Sequence, residues 1–390
     1  IECLSSKHNK AYHFQRTIRM LSAGKYNLQY SYPGGKYMNT NILIIGNGFD
    51  LYHDLPTKYI DFLSFAKNWS SFYSTYQDGQ HNYQQGLTKR KITNWDPDNM
   101  SYFAYYYHSD INEENVTYLE KNLNRNLWIQ FFNSINYEKE GWIDFEQEIE
   151  AALFEIEQLF ELDFRDTNGK DFYQEQRNLA VKFTPIEKHE EYYSGFSGDR
   201  NENTVYSQVC VKTKKAKREL KELIIKTMHS ELDSLKECFK IYLKEFVNRL
   251  PIQKNPFFEK IKINKVLNFN YTDTYKRIYE EENQKIDEIH IHGDIDNNNM
   301  VLGIRDDFME SQSLDYIKFS KYYQRIVFKL PGNLKEWSTF IDTSGVFISP
   351  KIYVFGHSLD KTDKGILDYF LNSKDDYQII ILYVAKYGFG

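Results

Sequence analysis

The chain has 390 residues, of which 41% are hydrophobic and 27% charged, a composition typical of globular proteins. Its formal net charge of −6 at pH 7 argues against a protein that coats nucleic acid or an anionic membrane, because neither would attract the chain as a whole. No apolar stretch reaches the length of roughly 18 residues that a membrane-spanning helix requires, so we expect no membrane span.

The first 37 residues are basic and lack the continuous apolar segment of a signal peptide. Met38 directly precedes the first convincing strand, so we interpret it as the natural start. We set residues 1–37 apart from the fold as a non-native or disordered extension. The three Cys residues of the chain form no short-spaced pair. Their scatter favours the reducing cytoplasm and argues against a zinc module built from four thiolates.

A strand buried on both faces is predicted at Asn41–Ile45, where a run of apolar residues leads into a glycine turn. Apolar residues at helical spacing follow from Thr57 to Trp69, and Thr57 is the expected N-cap of that helix. Residues 70–115 are polar and without periodicity. We interpret them as irregular structure or as a mobile lid.

A large helical region is predicted next. Apolar stripes at helical spacing run through residues 119–132 and 142–160, whereas residues 161–208 are polar and weakly patterned. The clearest helix runs from about Arg218 to Leu250, where Pro251 ends it. We therefore predict a helical insertion over residues 71–261.

Strands and helices alternate again after this insertion. The predicted strands are 265–270, 288–292, 299–304, 351–356 and 378–384, and the predicted helices are 273–282 and 361–371. Alternating elements of this length indicate an α/β fold with a mostly parallel, doubly wound, Rossmann-like sheet. We expect residues 38–70 and 262–390 to form it.

The turn Gly46-Asn47-Gly48-Phe49-Asp50 directly follows the first buried strand. Its glycines would let backbone amides approach a pyrophosphate, although the third glycine of the dinucleotide fingerprint is missing. The alternative is a tight turn without a ligand, in which Asp50 caps the following helix. The pattern alone does not decide between them.

A second turn, Asn268–Thr274, lies between a predicted strand and a predicted helix. Its side chains should therefore lie at the carboxyl edge of the sheet, where such folds bind ligands. Thr272 or Asp273 is the expected N-cap of the helix. Asn270 is either a functional residue or a common turn residue.

His290, His292 and Asp294 would share one face of a strand. One functional histidine followed by a turn glycine is the interpretation we favour. Two structural histidines are an alternative. A metal site with these three residues is another, but no further His or Cys lies nearby to complete it.

Two further motifs have a simple structural explanation. The turn Gly356–Asp363 could bind phosphate or ribose, but capping chemistry alone accounts for its Ser, Thr and Asp residues. In the segment Trp142–Glu150 the acidic residues fall mostly opposite the apolar stripe, which favours a solvated helix face. The basic stretch Lys212–Arg218 is interpreted as solvated surface as well.

The order of these motifs closely resembles the bacteriophage abortive-infection AbiH family. The resemblance extends from about Asn39 to Leu371. It is carried by Ile44–Leu51, Leu55–Tyr59, Trp142–Glu146, Asn268–Thr272, His292-Gly293 and Gly356–Asp360. One departure is Asp54, where the family usually has Gly. The resemblance implies an anti-phage protein.

The same order is more distantly similar to sirtuin-like nucleotide-binding domains. That similarity implies that Asn270 and His292 are catalytic and that NAD or a related nucleotide is the ligand. The residues expected to bind this ligand are Gly46, Asn47, Gly48, Phe49, Asp50, Pro56, Thr272, Asp273, Gly356, Ser358 and Asp360. The sirtuin zinc module is missing, and Thr272 replaces a sirtuin-like Asp, so protein deacylation is not expected.

Three hypotheses for the function follow. The first is hydrolysis of NAD or a related nucleotide upon infection, without a metal, in which Asn270 positions the ribose or water and His292 is the general base. The second is a sensor that binds a nucleotide without cleaving it, with the helical insertion recognising a phage component or a partner protein. The third is a metal-dependent phosphoesterase. A homo-oligomer is a further expectation.

Overall fold

The structure is a computed structural model of the full chain. The residues that it describes are 18–22, 41–82, 111–135, 143–161, 174–197, 205–209, 213–261, 263–281, 285–305, 314–330, 351–359, 363–371 and 378–383. Among these residues, no helix combines the length and the apolar character needed to cross a membrane.

One sheet of parallel strands forms the centre of the described chain. Its strands are β1 (Ile18–Ser22), β2 (Asn41–Ile45), β5 (Lys265–Asn268), β6 (Asp287–His290), β7 (Lys351–Phe355) and β8 (Gln378–Tyr383). They lie in the order β1-β8-β7-β2-β5-β6, and every neighbouring pair is parallel. From β2 the chain moves outward to β5 and β6 and then crosses to β7 and β8. This is the doubly wound arrangement that the sequence predicts, and it is confirmed.

The segment that we set apart as an extension contributes β1 to the edge of this sheet. Ile18 is paired with Ile379 and Ser22 with Tyr383. A strand at the edge of a sheet need not be apolar throughout, so its sequence pattern is weaker than that of β2. Residues 18–22 are therefore part of the sheet in the structure.

Helices flank the sheet and fill the region between β2 and β5. They are α1 (Asn47–Tyr52), α2 (Tyr59–Lys67), α3 (Trp69–Asn82), α4 (Glu113–Asn122), α5 (Leu127–Ser134), α6 (Phe145–Glu161), α7 (Gln174–Lys182), α8 (His189–Tyr192), α9 (Lys214–Ile241), α10 (Pro256–Glu259), α11 (Thr274–Tyr279), α12 (Lys321–Phe328) and α13 (Lys364–Leu371). Short 3-10 helices lie at Ile186–Lys188, Val247–Arg249 and Leu314–Phe319. An antiparallel hairpin, β3 (Tyr193–Ser197) and β4 (Val205–Val209), lies within the region expected to be weakly patterned.

The long helix α9 organises the helical region. Its apolar face, which includes Leu220, Ile224, Met228 and Leu232, is buried against α4, α5 and α6. Burial of each such side chain contributes roughly 1.5–3 kcal/mol, and this packing is what holds an amphipathic helix of 28 residues in place. A π-helical turn, Tyr242–Phe246, follows α9, and the helical path ends before Pro251 as predicted.

Two predictions about the local structure are wrong. Residues 70–82 belong to α3, although we expected irregular structure there, because polar residues separate the buried Trp69, Phe72 and Tyr76 and hide the helical spacing. Residues 299–304 form no strand, since only Ile304 makes a single bridge, to Ser320. Their apolar run reflects burial between the sheet and the helical region, which a short pattern cannot distinguish from a strand.

The acidic face of α6 is not solvated, contrary to our expectation. Glu146 pairs with Lys321 at 2.6 Å, and Glu150 accepts two hydrogen bonds from Arg305, at 2.6 and 3.0 Å. Glu157 accepts a hydrogen bond of 2.7 Å from Tyr316. These contacts attach α6 to the segment that follows β6. The acidic residues of α6 therefore join the helical region to the α/β core.

Candidate functional site

The carboxyl ends of three neighbouring strands meet at one cavity. Ile45 at the end of β2 is paired with Asn268 of β5 on one side and with Phe355 of β7 on the other. The turns that follow these strands therefore begin at the same edge of the sheet, where doubly wound folds bind ligands. A cavity of about 500 Å³ lies there. Ligand pockets typically measure roughly 300–1,000 Å³.

Most of the residues that the sequence analysis selected line this cavity. They are Gly46, Asn47, Asp50, Asn270, Thr272, His292, Gly356 and Ser358. Asp360 lies outside the described residues. The cavity also receives side chains of α2, α6, α9 and α12, so the helical region and the α/β core build it together.

The glycines of the first turn allow two loops to pack closely. A Cβ atom at position 48 would lie 2.6 Å from Cα of Gly356, and one at position 46 would lie 2.8 Å from the Gly356 carbonyl oxygen. Gly356 itself has a φ of +66°, a left-handed conformation that favours glycine. The N–H of Gly46 donates to the Phe355 carbonyl at 3.3 Å, and the N–H of Gly48 donates to the Gly356 carbonyl at 2.9 Å. These two amides are thus already bonded within the protein.

Asp50 is a buried carboxyl at the base of the cavity. It is 1% exposed, and its Oδ2 accepts a hydrogen bond of 2.6 Å from the Thr272 hydroxyl. Its Oδ1 has no hydrogen-bond partner among the described residues. Burial raises the pKa of Asp50 to about 6, while hydrogen bonds from Thr272 and Thr274 oppose this shift. Asp50 lies inside α1 and does not cap it, because the N-cap is Gly46.

The turn after β5 is organised by Asn268. Its side-chain amide donates to the Thr272 carbonyl and to Glu288 Oε1, both at 2.8 Å, and its Oδ1 accepts the N–H of Asn270 at 2.8 Å. Asn270 in turn donates from Nδ2 to the Gly46 carbonyl at 3.0 Å. The side chain of Asn270 therefore joins the turns after β5 and β2 and lies on the cavity wall.

His292 forms a buried pair with Asp363. Its Nε2 lies 3.0 Å from Oδ1 of Asp363, and His357 Nε2 lies 3.5 Å from the other carboxylate oxygen. Burial lowers the pKa of His292 to about 4, against the opposing charge of Asp363. Burial of Asp363 acts to raise its pKa, but the interactions with His292, His357 and Lys321 outweigh burial and hold the pKa well below its usual range. Near neutral pH the pair is an imidazole beside a carboxylate.

The second ring nitrogen of His292 is not bonded to any of the described residues. Nε2 lies 3.0 Å from Oδ1 of Asp363 without hydrogen-bond geometry. An ionised carboxylate only accepts hydrogen bonds, so the tautomer that this contact favours is the one with the proton on Nε2. Nδ1 then carries the lone pair, and it has no hydrogen-bond partner among the described residues. A base oriented by a carboxylate is the arrangement that general-base catalysis uses.

A buried ion pair closes the cavity on the side of α6 and α12. Lys321 is 3% exposed and lies 2.6 Å from Glu146 and 3.9 Å from Asp363. Burial raises the pKa of Glu146 to about 7 although Lys321 opposes the shift. Burial acts to lower the pKa of Lys321, but Glu146 and Asp363 raise it above its ordinary value. Lys321 therefore links an acid of the helical region to the carboxylate that pairs with His292.

His290, His292 and Asp294 do not converge, so they provide no shared metal site. The Nδ1 of His290 contacts the Asn270 carbonyl oxygen at 3.0 Å, whereas His292 faces Asp363. Asp294 accepts backbone hydrogen bonds from Asp296 and Asn297 in a local turn. The described residues contain no group of three His, Cys, Asp or Glu arranged to hold a metal ion. β6 ends at His290, so the expected strand face does not exist.

Gly48, Phe49, Pro56 and Asp273 do not line the cavity. Phe49 is fully buried in an aromatic cluster, where its ring centroid lies 5.3 Å from that of Phe258. The Pro56 carbonyl accepts a hydrogen bond of 2.8 Å from Tyr242. Asp273 is the N-cap residue of α11 but makes no side-chain capping bond. The structure thus gives Phe49 and Pro56 roles in packing.

Several residues that form the site were not predicted from the sequence. Glu146 lies on a helix face that we expected to be solvated. Asp363 lies just before α13, in a turn that capping alone explained, and Lys321 lies on α12, a helix that we did not predict. Thr57, our expected N-cap of α2, instead donates its hydroxyl proton to Oδ1 of Asn47 in the cavity wall, and Lys58 is the N-cap residue. The only sequence signal for Asp363 was its place in the Ser/Thr/Asp-rich turn after β7.

Comparison with known proteins identifies one family. The model of the family described as Bacteriophage abortive infection AbiH matches residues 42–384, which is most of the chain. No curated protein and no solved structure matches the sequence. The match includes the three turns of the cavity, the helix α6 and the His292–Asp363 pair.

Proposed function

The chain belongs to the bacteriophage abortive infection AbiH family, and on that premise we propose that it acts in defence by hydrolysing NAD or a related nucleotide in the cavity described above. The bond to be broken joins the nicotinamide nitrogen to C1 of the ribose. Water attacks C1, the bonding electrons return to the ring nitrogen, and nicotinamide and ADP-ribose are the products. Such a reaction passes through a cationic, oxocarbenium-like transition state.

The observation that carries this proposal is the His292–Asp363 pair, in which Nδ1 of His292 has no hydrogen-bond partner among the described residues. A neutral imidazole can take the proton of the attacking water, and Asp363 stabilises the imidazolium that then forms. General-base catalysis of this kind contributes roughly 10²–10⁴-fold in rate. His292 is 6% exposed, which limits the access of bulk water to this base.

Asp50 and Asn270 supply the second part of the chemistry. The carboxylate of Asp50 is negative above its pKa of about 6 and lines the cavity. A negative charge in a buried site stabilises the developing positive charge on the ribose. Asn270 lies on the cavity wall between the turns after β2 and β5, where its carboxamide can orient the ribose hydroxyls or the water.

The experiment combines phage protection and NAD content. Cells that express the wild-type chain, His292→Ala or Asn270→Ala are infected, and plaque formation and total NAD are followed with time. We expect the wild type to protect and to lose NAD after infection, and both variants to do neither. Ile186→Ala is the control, since this side chain is 81% exposed and does not line the cavity. Full protection by His292→Ala with unchanged NAD would exclude the mechanism.

A sensor that binds the nucleotide without cleaving it is the second candidate. The observation that favours it is the contact between α6 and the cavity through Glu146 and Lys321, because a ligand there would contact the helical region directly. Isotope-labelled NAD distinguishes the two functions. A sensor returns the label as intact NAD, whereas a hydrolase releases labelled nicotinamide.

A further inference from the structure

The side chains that line the cavity carry mostly negative charge. Four carboxyl groups and one amine are among them: Asp50, Asp144, Glu146, Asp363 and Lys321. His292 adds no positive charge near neutral pH, since burial lowers its pKa to about 4. Burial also raises the pKa of Glu146 to about 7, so that this carboxyl is only partly charged, but the three Asp residues still outnumber the single amine. A concave site with an excess of one sign attracts ligand groups of the opposite sign and repels those of the same sign. The cavity thus favours a cationic group over a phosphate.

Four backbone amides at the two places where a phosphate would be expected are already bonded. At the start of α6, Oδ1 of Asp144 accepts the N–H of Glu146 at 2.9 Å and that of Gln147 at 3.4 Å. In the glycine turn, the N–H groups of Gly46 and Gly48 donate to the carbonyl oxygens of Phe355 and Gly356. Neither the helix end nor the glycine turn therefore offers these amides to an anion.

Aromatic rings form the wall next to these acids. Tyr59, Phe239 and Tyr271 all line the cavity. The ring centroids of Tyr59 and Phe239 lie 5.5 Å apart, and those of Phe239 and Tyr271 lie 5.9 Å apart. Aromatic faces attract cations and stack on flat heterocycles. Asp50 also lines the cavity. It is 1% exposed and its Oδ1 lacks a hydrogen-bond partner among the described residues, so the negative charge of this carboxylate is not fully compensated there.

We propose that the cavity takes the positively charged heterocycle and the ribose of its ligand, and that the ligand's phosphates stay outside. The ligand class is a nucleoside or nucleotide whose base is cationic, as the pyridinium ring of nicotinamide is. The ring lies between the aromatic wall and the carboxylates of Asp144 and Glu146, and the ribose lies toward Asp50 and His292. This assignment rests on the proposed function for the identity of the ring.

The net charge of the base is the variable that tests the assignment. Nicotinamide riboside and nicotinic acid riboside share a pyridinium ring and differ only in that a carboxylate replaces the carboxamide in the second, so the base of the first is cationic and that of the second has no net charge. Neither has a phosphate. Calorimetry with the full chain measures the affinity for each, whether or not the protein cleaves them. We expect nicotinamide riboside to bind at least about tenfold more tightly, because the ring carboxylate meets like charges. We also expect it to bind about as tightly as nicotinamide mononucleotide.

The matched variant is Asp144→Asn. Asn is as good an N-cap as Asp, so the substitution removes one charge from the cavity while the cap of α6 is kept. We expect the preference for nicotinamide riboside over nicotinic acid riboside to fall about three- to tenfold. Asp233→Asn serves as the control, since this residue of α9 is 54% exposed and does not line the cavity. Its preference should equal that of the wild type.

The outcomes separate this inference from the proposed function. Equal affinities for the two ribosides, or a clear gain in affinity from the phosphate of nicotinamide mononucleotide, would overturn the inference. A preference for nicotinamide riboside that Asp144→Asn leaves unchanged would also overturn it. If the preference is found and reduced as expected while no ligand is cleaved, the inference stands and the hydrolytic function fails.

Discussion

The Nε2 of His292 lies 3.0 Å from Oδ1 of Asp363. The two residues follow strands on opposite sides of β2 in the sheet. His292 follows β6, and Asp363 directly precedes α13, after β7. The doubly wound topology brings the turns after β6 and β7 to the same edge of the sheet. This relationship places a carboxylate beside the base that we propose, and two of the predictions below, those for Asp363→Asn and His292→Ala, depend on it.

Asp363 acts through His292, so we predict that Asp363→Asn lowers kcat by roughly 10²–10⁴-fold while KM changes little. The new amide donates a hydrogen bond to Nε2 and moves the imidazole proton to Nδ1, which removes the base. Steady-state kinetics of NAD hydrolysis over pH 4–9 measure this. The activity of the wild type should fall in two steps as the pH is lowered, near pH 6 as Asp50 is protonated and near pH 4 as His292 is protonated, and the variant should lose the lower step. A rise in KM with unchanged kcat would contradict a positioning role.

The pKa of Asp50 predicts how the stability depends on pH. Folding raises this pKa from 3.8 to about 6, so the protonated carboxyl contributes stability that is present below pH 3.8 and is lost as the pH rises through 6. The loss amounts to about 3 kcal/mol. In Asp50→Asn this titration is absent. Relative to the wild type, the variant's free energy of unfolding should therefore rise by that amount between about pH 4 and pH 7. Urea titrations at each pH test this, and a constant difference would contradict it.

Phe49 belongs to the core rather than to the ligand site. It packs in a cluster with Phe258, Phe355 and Tyr275, at centroid distances of 5.3, 6.0 and 5.7 Å. We predict that Phe49→Ala lowers the free energy of unfolding by roughly 3–5 kcal/mol. Phe49→Leu should cost less and leave the affinity for nicotinamide riboside unchanged. Weaker binding by a Leu variant of normal stability would show that this ring contacts the ligand.

Asp54 stands in a left-handed conformation, with φ of +59°. It directly follows His53, the C-cap residue of α1. Glycine is strongly preferred at the position after a C-cap. We predict that Asp54→Gly raises the free energy of unfolding by about 0.5–1 kcal/mol, since Gly adopts this conformation without steric cost. Thermal unfolding measures the change. Asp54→Ala should lower the free energy of unfolding. If the Ala variant were more stable than the wild type, the left-handed backbone at this position would not be strained.

The fold and the location of the site could be predicted from local patterns. β2 and β7 are buried on both faces, so each appears as an apolar run that ends in a glycine turn. In a parallel sheet such turns meet at one edge, which is why Gly46, Asn270 and Gly356 were selected together. β1 could not be predicted in this way, because an edge strand leaves only a weak pattern.

The charged residues of the site could not be predicted, because their partners are distant in sequence. Glu146 belongs to an acidic helix face that resembles solvated surface, and only the tertiary structure brings Lys321 against it. The same holds for Asp363, which looks like a capping residue until His292 lies beside it. Local periodicity shows which face of a helix is apolar. It does not show which charged side chains form buried pairs in the folded protein.

The most direct test uses protein recovered from phage-infected cells and incubated with NAD in ¹⁸O-labelled water. Nicotinamide is quantified by chromatography, and the label in ADP-ribose is followed by mass spectrometry. Our account predicts equimolar nicotinamide and ADP-ribose with one labelled oxygen from the wild type, and a rate at least about 100-fold lower from His292→Ala. Intact NAD after incubation with protective wild-type protein, or equal nicotinamide release by His292→Ala, would contradict it.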